Sequence, residues 1–320
     1  MSFFKSIPFL AILLININNL IGEDSLKVDG KQPVMLENIA MYLDIPYDSK
    51  DGVEQKYLSL DVFHNITYKD TLPVIIYFHG GGWNQGDKSL PFHLIKYFTD
   101  SGYVFISANY RLSPDPYNIQ DSSRIKFPIF TEDAAMAVKW VVDNISKYGG
   151  DPSQIVLMGF SAGGNIASTL ALMPDFLEKH NISTRIIKAV VNLDGVALNI
   201  VRIIDESSGN YRLMLQNAFG NTLEEWQSAS PVLNIPDSIY LPNFFLATQA
   251  NAVRKSQFQE LSDTLIARGI TPSIYVNKFF FHNDFQQRIG DLNEPEAKEY
   301  SDLIIKFVNN VLQDHQISKQ

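Results

Sequence analysis

The stretch Gly159-Phe160-Ser161-Ala162-Gly163-Gly164 constrains this chain more than any other. It follows Gln154-Ile155-Val156-Leu157-Met158, a short β-branched apolar run that reads as a buried strand. Residues 165–172 after it read as a helix. A strand that turns at once into a helix brings backbone against backbone, so glycines are needed two positions either side of Ser161. The same turn pushes the serine hydroxyl out at the carboxyl edge of the sheet. A serine at the centre of G-x-S-x-G in this setting is the nucleophile-elbow pattern. Small-residue turns between strands and helices are common, so the rest of the chain has to decide what this one is for.

A second glycine cluster stands ahead of the elbow. Leu72-Pro73-Val74-Ile75-Ile76-Tyr77-Phe78 is a continuous apolar run of the kind covered on both faces, and it ends in His79-Gly80-Gly81-Gly82-Trp83. Three glycines after a buried strand let backbone N–H groups approach a substrate, and with the N–H of Ala162 they can hold an oxyanion. His79 is read as a brace for that loop.

The remaining pattern alternates strands with helices. Residues 34–47 and 57–65 are expected to be two strands joined by the polar turn at 48–52. Leu58, Leu60 and Val62 alternate with Ser59 and Asp61, which suits a half-buried antiparallel strand. Strands are further expected over 103–108, 186–193, 244–248 and 273–281, and helices over 131–147 (capped by Thr131), 256–267 and 297–311. Residues 196–240 form a partly helical, cap-like insertion. Its Leu213, Leu215, Phe219 and Trp226 are either an apolar wall over a pocket or ordinary packing. The expected architecture is an α/β fold: a mostly parallel central sheet, helices on both faces, and an antiparallel N-terminal edge.

With 45% hydrophobic and 19% charged residues, 320 residues can build one large core, and residues 23–320 are expected to form a single domain. A net charge of -9 and no basic cluster argue against nucleic acid as a partner. Lys5, the apolar run 7–21 broken by Pro8 and three asparagines, and Gly22-Glu23-Asp24 have the shape of a signal peptide over 1–22. That start implies a secreted, extracellular protein with no transmembrane span in the mature chain. Asn65, Asn144 and Asn181 begin N-x-S/T sequons, compatible with a glycoprotein. The absence of cysteine rules out disulfides, thiol catalysis and cysteine-based metal sites.

Of the 6 histidines, His282 stands apart. It follows the last expected strand, in Phe280-Phe281-His282-Asn283-Asp284, at the sheet edge where Ser161 should also emerge. Loops that do chemistry gather at that edge in parallel sheets, and an imidazole there is a candidate general base.

Together, His79-Gly80-Gly81-Gly82-Trp83, Asn109-Tyr110-Arg111-Leu112, Gly149-Gly150-Asp151-Pro152 and the elbow resemble an α/β-hydrolase. The branch is the esterase one that includes hormone-sensitive-lipase-like carboxylesterases and kynurenine formamidase-like enzymes. The resemblance implies Ser161 as nucleophile, His282 as base, an acid that orients it, and Gly81, Gly82 and Ala162 as the oxyanion hole. It implies no cofactor, no metal and a small-molecule ester as substrate. One departure matters. Most relatives carry the acid as an Asp after the penultimate strand, whereas here that loop reads Thr248-Gln249-Ala250-Asn251-Ala252-Val253. Two candidates remain: Asp194, one strand earlier, as in some lipases of this fold, and Asn251. The expected activity is hydrolysis of a carboxylic ester or activated amide through an acyl-enzyme. The alternatives are a secreted non-catalytic binding protein on the same fold, or a peptidase-like relative.

Overall fold

The computed structural model describes residues 26–113 and 119–317; the expected signal segment over 1–22 lies outside them. The chain opens with three antiparallel strands, β1 (Val34–Leu36), β2 (Ile39–Pro46) and β3 (Ser59–Asn65). One strand was expected over 34–47, but Glu37 takes a left-handed φ of 52° and folds it into the β1–β2 hairpin. The chain then alternates: β4 (Leu72–Phe78), α1 (Phe92–Asp100), β5 (Val104–Ala108), α2 (Ile129–Asn144), β6 (Gly150–Phe160) and α3 (Ala162–Leu172). A short α4 (Asp175–Glu178) leads to β7 (Ile187–Leu193). The insertion folds as α5 (Ile200–Asp205), α6 (Gly209–Phe219) and α7 (Leu223–Ser228). The chain closes through β8 (Asn243–Gln249), α8 (Ala252–Ile266), β9 (Ser273–Asn277), α9 (Asp284–Gln287) and α10 (Pro295–Ile317).

The sheet runs β1-β2-β3-β5-β4-β6-β7-β8-β9, antiparallel up to β5 and parallel from there on. Its central strands are apolar without interruption because both faces are covered. In β4, Val74, Ile76 and Phe78 enter one core while Ile75 and Tyr77 enter the other. The first core is closed by α2, α3 and α8, and the second by α1 and α10. Ala297, Tyr300, Ile304, Val308 and Val311 recur at helical spacing along the buried stripe of α10. Each large apolar side chain so buried contributes roughly 1.5–3 kcal/mol. α3 is buried on every side, which is what an elbow helix under the centre of the sheet requires.

Three further expectations are corrected. β3 is buried on both faces, not one: Ser59 and Asp61 are covered, and the Lys88 ammonium donates to Asp61 Oδ1 at 2.7 Å to compensate its burial. Thr131 caps nothing, because α2 begins two residues earlier and its hydroxyl lies inside the packing. The last strand stops at Asn277 rather than 281, because Asn277 Oδ1 accepts the N–H groups of Phe279 and Phe280 at 2.7 and 2.9 Å and turns the chain. Among the described residues no helix is long and apolar enough to cross a membrane.

Candidate active site

Five adjacent strands, β4, β6, β7, β8 and β9, deliver their carboxyl ends to one edge, and each end carries a piece of the site. Ser161 sits at the β6–α3 junction with φ 53° and ψ −116°, a strained backbone for a residue with a Cβ. Its N–H donates to Leu193 O at 2.9 Å, which fixes the turn against β7. A Cβ on Gly163 would overlap the Phe78 carbonyl, so the close approach of α3 to β4 requires glycine there.

His282 comes from the loop between β9 and α9. Phe280, buried against Phe285 and Tyr300, anchors that loop, and Asp284 Oδ2 accepts the Phe281 N–H at 2.7 Å. The imidazole rests on the Phe160 ring, centroids 4.7 Å apart. Its Nε2 lies 2.9 Å from Ser161 Oγ and its Nδ1 2.7 Å from Asp194 Oδ2. A carboxylate can only accept, so Nδ1 carries the proton and Nε2 is left free to accept the Ser161 hydroxyl.

Asp194 follows β7 directly with φ 57°, and its side chain is fully buried. Its N–H donates to Ala247 O of β8 at 2.7 Å. Thr248 Oγ1 donates to Oδ1 at 2.7 Å, and Gln249 Nε2 to Oδ2 at 3.2 Å. Arg254 Nη1 lies 3.0 Å from Oδ2 and donates to the Asp194 carbonyl at 2.8 Å. Asn251 is engaged elsewhere: its Oδ1 accepts from the N–H groups of Val253 and Arg254 and caps α8. So of the two acid candidates the structure brings Asp194 to His282 and sets Asn251 at a helix start.

The loop after β4 is held from behind. His79 is fully buried, stacked 4.5 Å from Tyr110, and its Nδ1–H donates to Gly80 O at 2.7 Å. Burial pushes its imidazole down to about 4, so it is neutral at pH 7. Tyr110 OH donates to His79 O at 2.8 Å, and the Gly80 N–H is directed at Gln286 Oε1 at 3.4 Å. Gly81, at φ 123°, has no room for a side chain, since a Cβ would overlap the Gln85 carbonyl. The N–H groups of Gly81, Gly82 and Ala162 find no protein acceptor among the described residues, and all three residues line the cavity into which Ser161 opens.

That cavity has a volume of about 500 Å³. Its far wall comes from α6, but through Asn210, Tyr211 and Met214. The apolar residues singled out in the insertion lie elsewhere. Leu215 and Phe219 turn to the core, Trp226 packs against it with Nε1 donating to Gly220 O at 2.8 Å, and Leu213 does not line the cavity. The division runs along the helix: Asn210, Tyr211 and Met214 lie in its first half, while Leu215, Ala218 and Phe219 lie in its second half, which enters the core. Sequence reasoning also missed Thr248, Gln249, Arg254 and Gln286. The first two lie in the very loop noted for lacking a carboxylate. No group of three or more histidine, aspartate or glutamate side chains gathers as for a metal ion among the described residues.

Known proteins resemble this chain in sequence and in fold. The carboxylesterase NlhH of Mycobacterium tuberculosis is 36% identical over 105 residues, 32% of this chain and 30% of that protein. The probable carboxylic ester hydrolase LipM of the same organism is 27% identical over 271 residues, 80% of this chain and 60% of that protein. The match thus spans less than two thirds of either relative. The crystal structure of esterase B from Lactobacillus Rhamnosis superposes with a TM-score of 0.72 at 19% identity, covering 88% of this chain and 89% of that one, a likeness of fold. The model of the family described as BD-FAE matches residues 60–265. That span runs from β3 into α8 and takes in the elbow, the glycine loop, Asp194 and Arg254, and stops short of His282. By that match, and by its sheet order, the chain belongs to the BD-FAE family, on the α/β-hydrolase fold.

Proposed function

We propose that this chain is a carboxylesterase-type serine hydrolase that cleaves a carboxylic ester through an acyl-enzyme. The observation that carries the reading is the unbroken run of polar contacts from Ser161 Oγ through the His282 ring to Asp194. Ser161 Oγ attacks the ester carbonyl while its proton passes to His282 Nε2. Asp194 keeps Nδ1 protonated and offsets the positive charge that forms on the ring. The N–H groups of Gly81, Gly82 and Ala162, which no protein acceptor holds among the described residues, take the oxyanion. As the tetrahedral species collapses, His282 returns the proton to the leaving alkoxide oxygen. A water then attacks the acyl carbon and gives its proton to His282. The ring hands that proton back to Ser161 Oγ as the acid departs. The relatives named as carboxylesterases favour an ester over an amide as the substrate.

A fluorophosphonate probe and an activated ester such as a p-nitrophenyl ester test this together. The wild type should be labelled at Ser161 and should turn the ester over. Ser161→Ala should lose both, with stability changed by no more than about 0.5 kcal/mol. Unchanged turnover in that variant would end the serine-hydrolase reading.

A further inference from the structure

Arg254 is placed where its own helix does not want it. It lies in the first turn of α8, at the end where the helix dipole is positive and a cation is disfavoured. Its partner is not a surface carboxylate but the fully buried Asp194, whose Oδ2 it shares with the His282 Nδ1–H. We propose that Arg254 is a positioning residue with an electrostatic role: it clamps Asp194 in its left-handed turn and sets the pH at which His282 becomes available as a base.

Both halves follow from the contacts. The Asp194 backbone is held at its N–H by Ala247 O and at its carbonyl by Arg254 Nη1, so a conformation costly for aspartate is fixed from two sides. The charge of the same guanidinium lies beyond the oxygen that faces the imidazole, about 6 Å or less from Nδ1 along the two contacts. A cation already on a carboxylate opposes a second cation forming beside it. Removing the Arg254 charge should therefore let His282 hold its proton to higher pH. Both Arg254 and His282 are partly exposed, so at an effective dielectric constant of about 40, between about 20 for protein sites and about 80 for water, a unit charge about 6 Å away changes proton affinity by about tenfold, or one pH unit. The other ionisable groups around the carboxylate are Tyr211 from α6 and Tyr300 from α10, both raised chiefly by desolvation and so neutral at pH 7. Asp284, two residues beyond His282, has its Oδ2 occupied by the Phe281 N–H and lies 3.7 Å from Arg288. None of these replaces Arg254 as a cation on Asp194.

This inference rests on the serine-hydrolase reading only for its kinetic readout, so the test has two arms. In the first, kcat/KM for a neutral activated ester is measured against pH for wild type, Arg254→Gln and Arg254→Lys. Glutamine keeps a polar amide on a shorter stem and removes the charge, whereas lysine keeps the charge. The midpoint of the acidic limb should rise by about one pH unit in Arg254→Gln and stay near wild type in Arg254→Lys. In the second arm, the His282 ring protons are titrated by NMR in the full chain, assigned with His282→Gln, and should show the same displacement whether or not any ester turns over. An inactive wild type in which the NMR shift is present refutes the hydrolase reading and leaves this one standing. A midpoint that does not move upward in Arg254→Gln, by kinetics or by NMR, overturns the electrostatic role and leaves Arg254 a brace alone.

Discussion

Replacing Asp194 by asparagine changes one atom, and the structure says how that change should be felt. Oδ2 faces three donors, from His282, Gln249 and Arg254, while Oδ1 faces the Thr248 hydroxyl, which can rotate to accept. The new amide therefore points its oxygen at His282 and its nitrogen at Thr248, and the ring keeps its place and its Nδ1 proton. What is lost is charge. A full charge on Oδ2 at 2.7 Å from Nδ1 stabilises an imidazolium by about 6 kcal/mol at an effective dielectric of 20. A loss of that size corresponds to a fall in kcat of about 10⁴. Stability should fall as well. The ion pair with Arg254 is broken, and the cation, one-fifth exposed, can recover part of its hydration. A loss of roughly 3 kcal/mol is expected, at the lower end for a buried pair stripped of one partner. Steady-state kinetics on one activated ester and urea unfolding of the same preparation give both numbers. Adding Arg254→Gln to Asp194→Asn should cost less stability than the sum of the two single changes, because the orphaned cation goes with its partner. A single variant within tenfold of wild-type kcat, folded and with its His282–Ser161 contact intact, would refute the assignment of Asp194 as the acid.

Three other perturbations probe the rest of the frame. Gly81→Ala should cost at least about a hundredfold in kcat, because the Cβ meets the Gln85 carbonyl and displaces the amides proposed to hold the oxyanion; normal kcat would mean that this loop holds no charge. Asn251→Ala should lower stability by about 1 kcal/mol through the lost cap of α8 while leaving kcat within a few-fold, whereas a collapse of kcat with the fold intact would return Asn251 to contention as the orienter. His79 is held neutral with its imidazole near 4 in the fold, against 6.5 in the unfolded chain, so below pH 6.5 the unfolded state takes up a proton that the folded state refuses. Its contribution is unchanged above pH 6.5 and worsens by roughly 3 kcal/mol as pH falls to 4; urea unfolding of His79→Phe should show a slope shallower by one proton across that window.

Much of this was readable from sequence where a single physical demand acts alone. β4 and β6 are buried on both faces, so their apolar runs have one interpretation. The elbow is legible because only glycine survives the contact between residue 163 and the Phe78 carbonyl. The failures come where two demands give the same pattern. Phe279, Phe280 and Phe281 alternate exposed, buried, exposed, which reads as strand, yet the Asn277 side chain has already taken the amides a neighbouring strand would need. In α6 the conspicuous apolar residues go to the core for the same reason they are conspicuous. The cavity is left to the less apolar first half of the helix, through Asn210, Tyr211 and Met214.

Asp194 shows a further limit, because a carboxylate can move between strands while the imidazole it faces stays put. β7 and β8 are parallel neighbours in register, Leu193 beside Ala247, so residues 194 and 248 stand side by side at the carboxyl edge. Neighbouring strands lie about 4.8 Å apart, less than the reach of an extended side chain, and either end can address one imidazole. A carboxylate at the end of β7 is then workable only if the end of β8 supplies donors in place of an acid. That is the division found: Thr248, Gln249 and Arg254 all come from β8 and α8, and all converge on Asp194. Asn251 fits the same scheme, since capping α8 fixes the turn from which Arg254 reaches back. The carboxylate-free loop that made the sequence look defective is better understood as the socket for the carboxylate of Asp194, carried one strand away. The complement of donors around a buried carboxylate, and not the strand it hangs from, is what a search for such an acid should read.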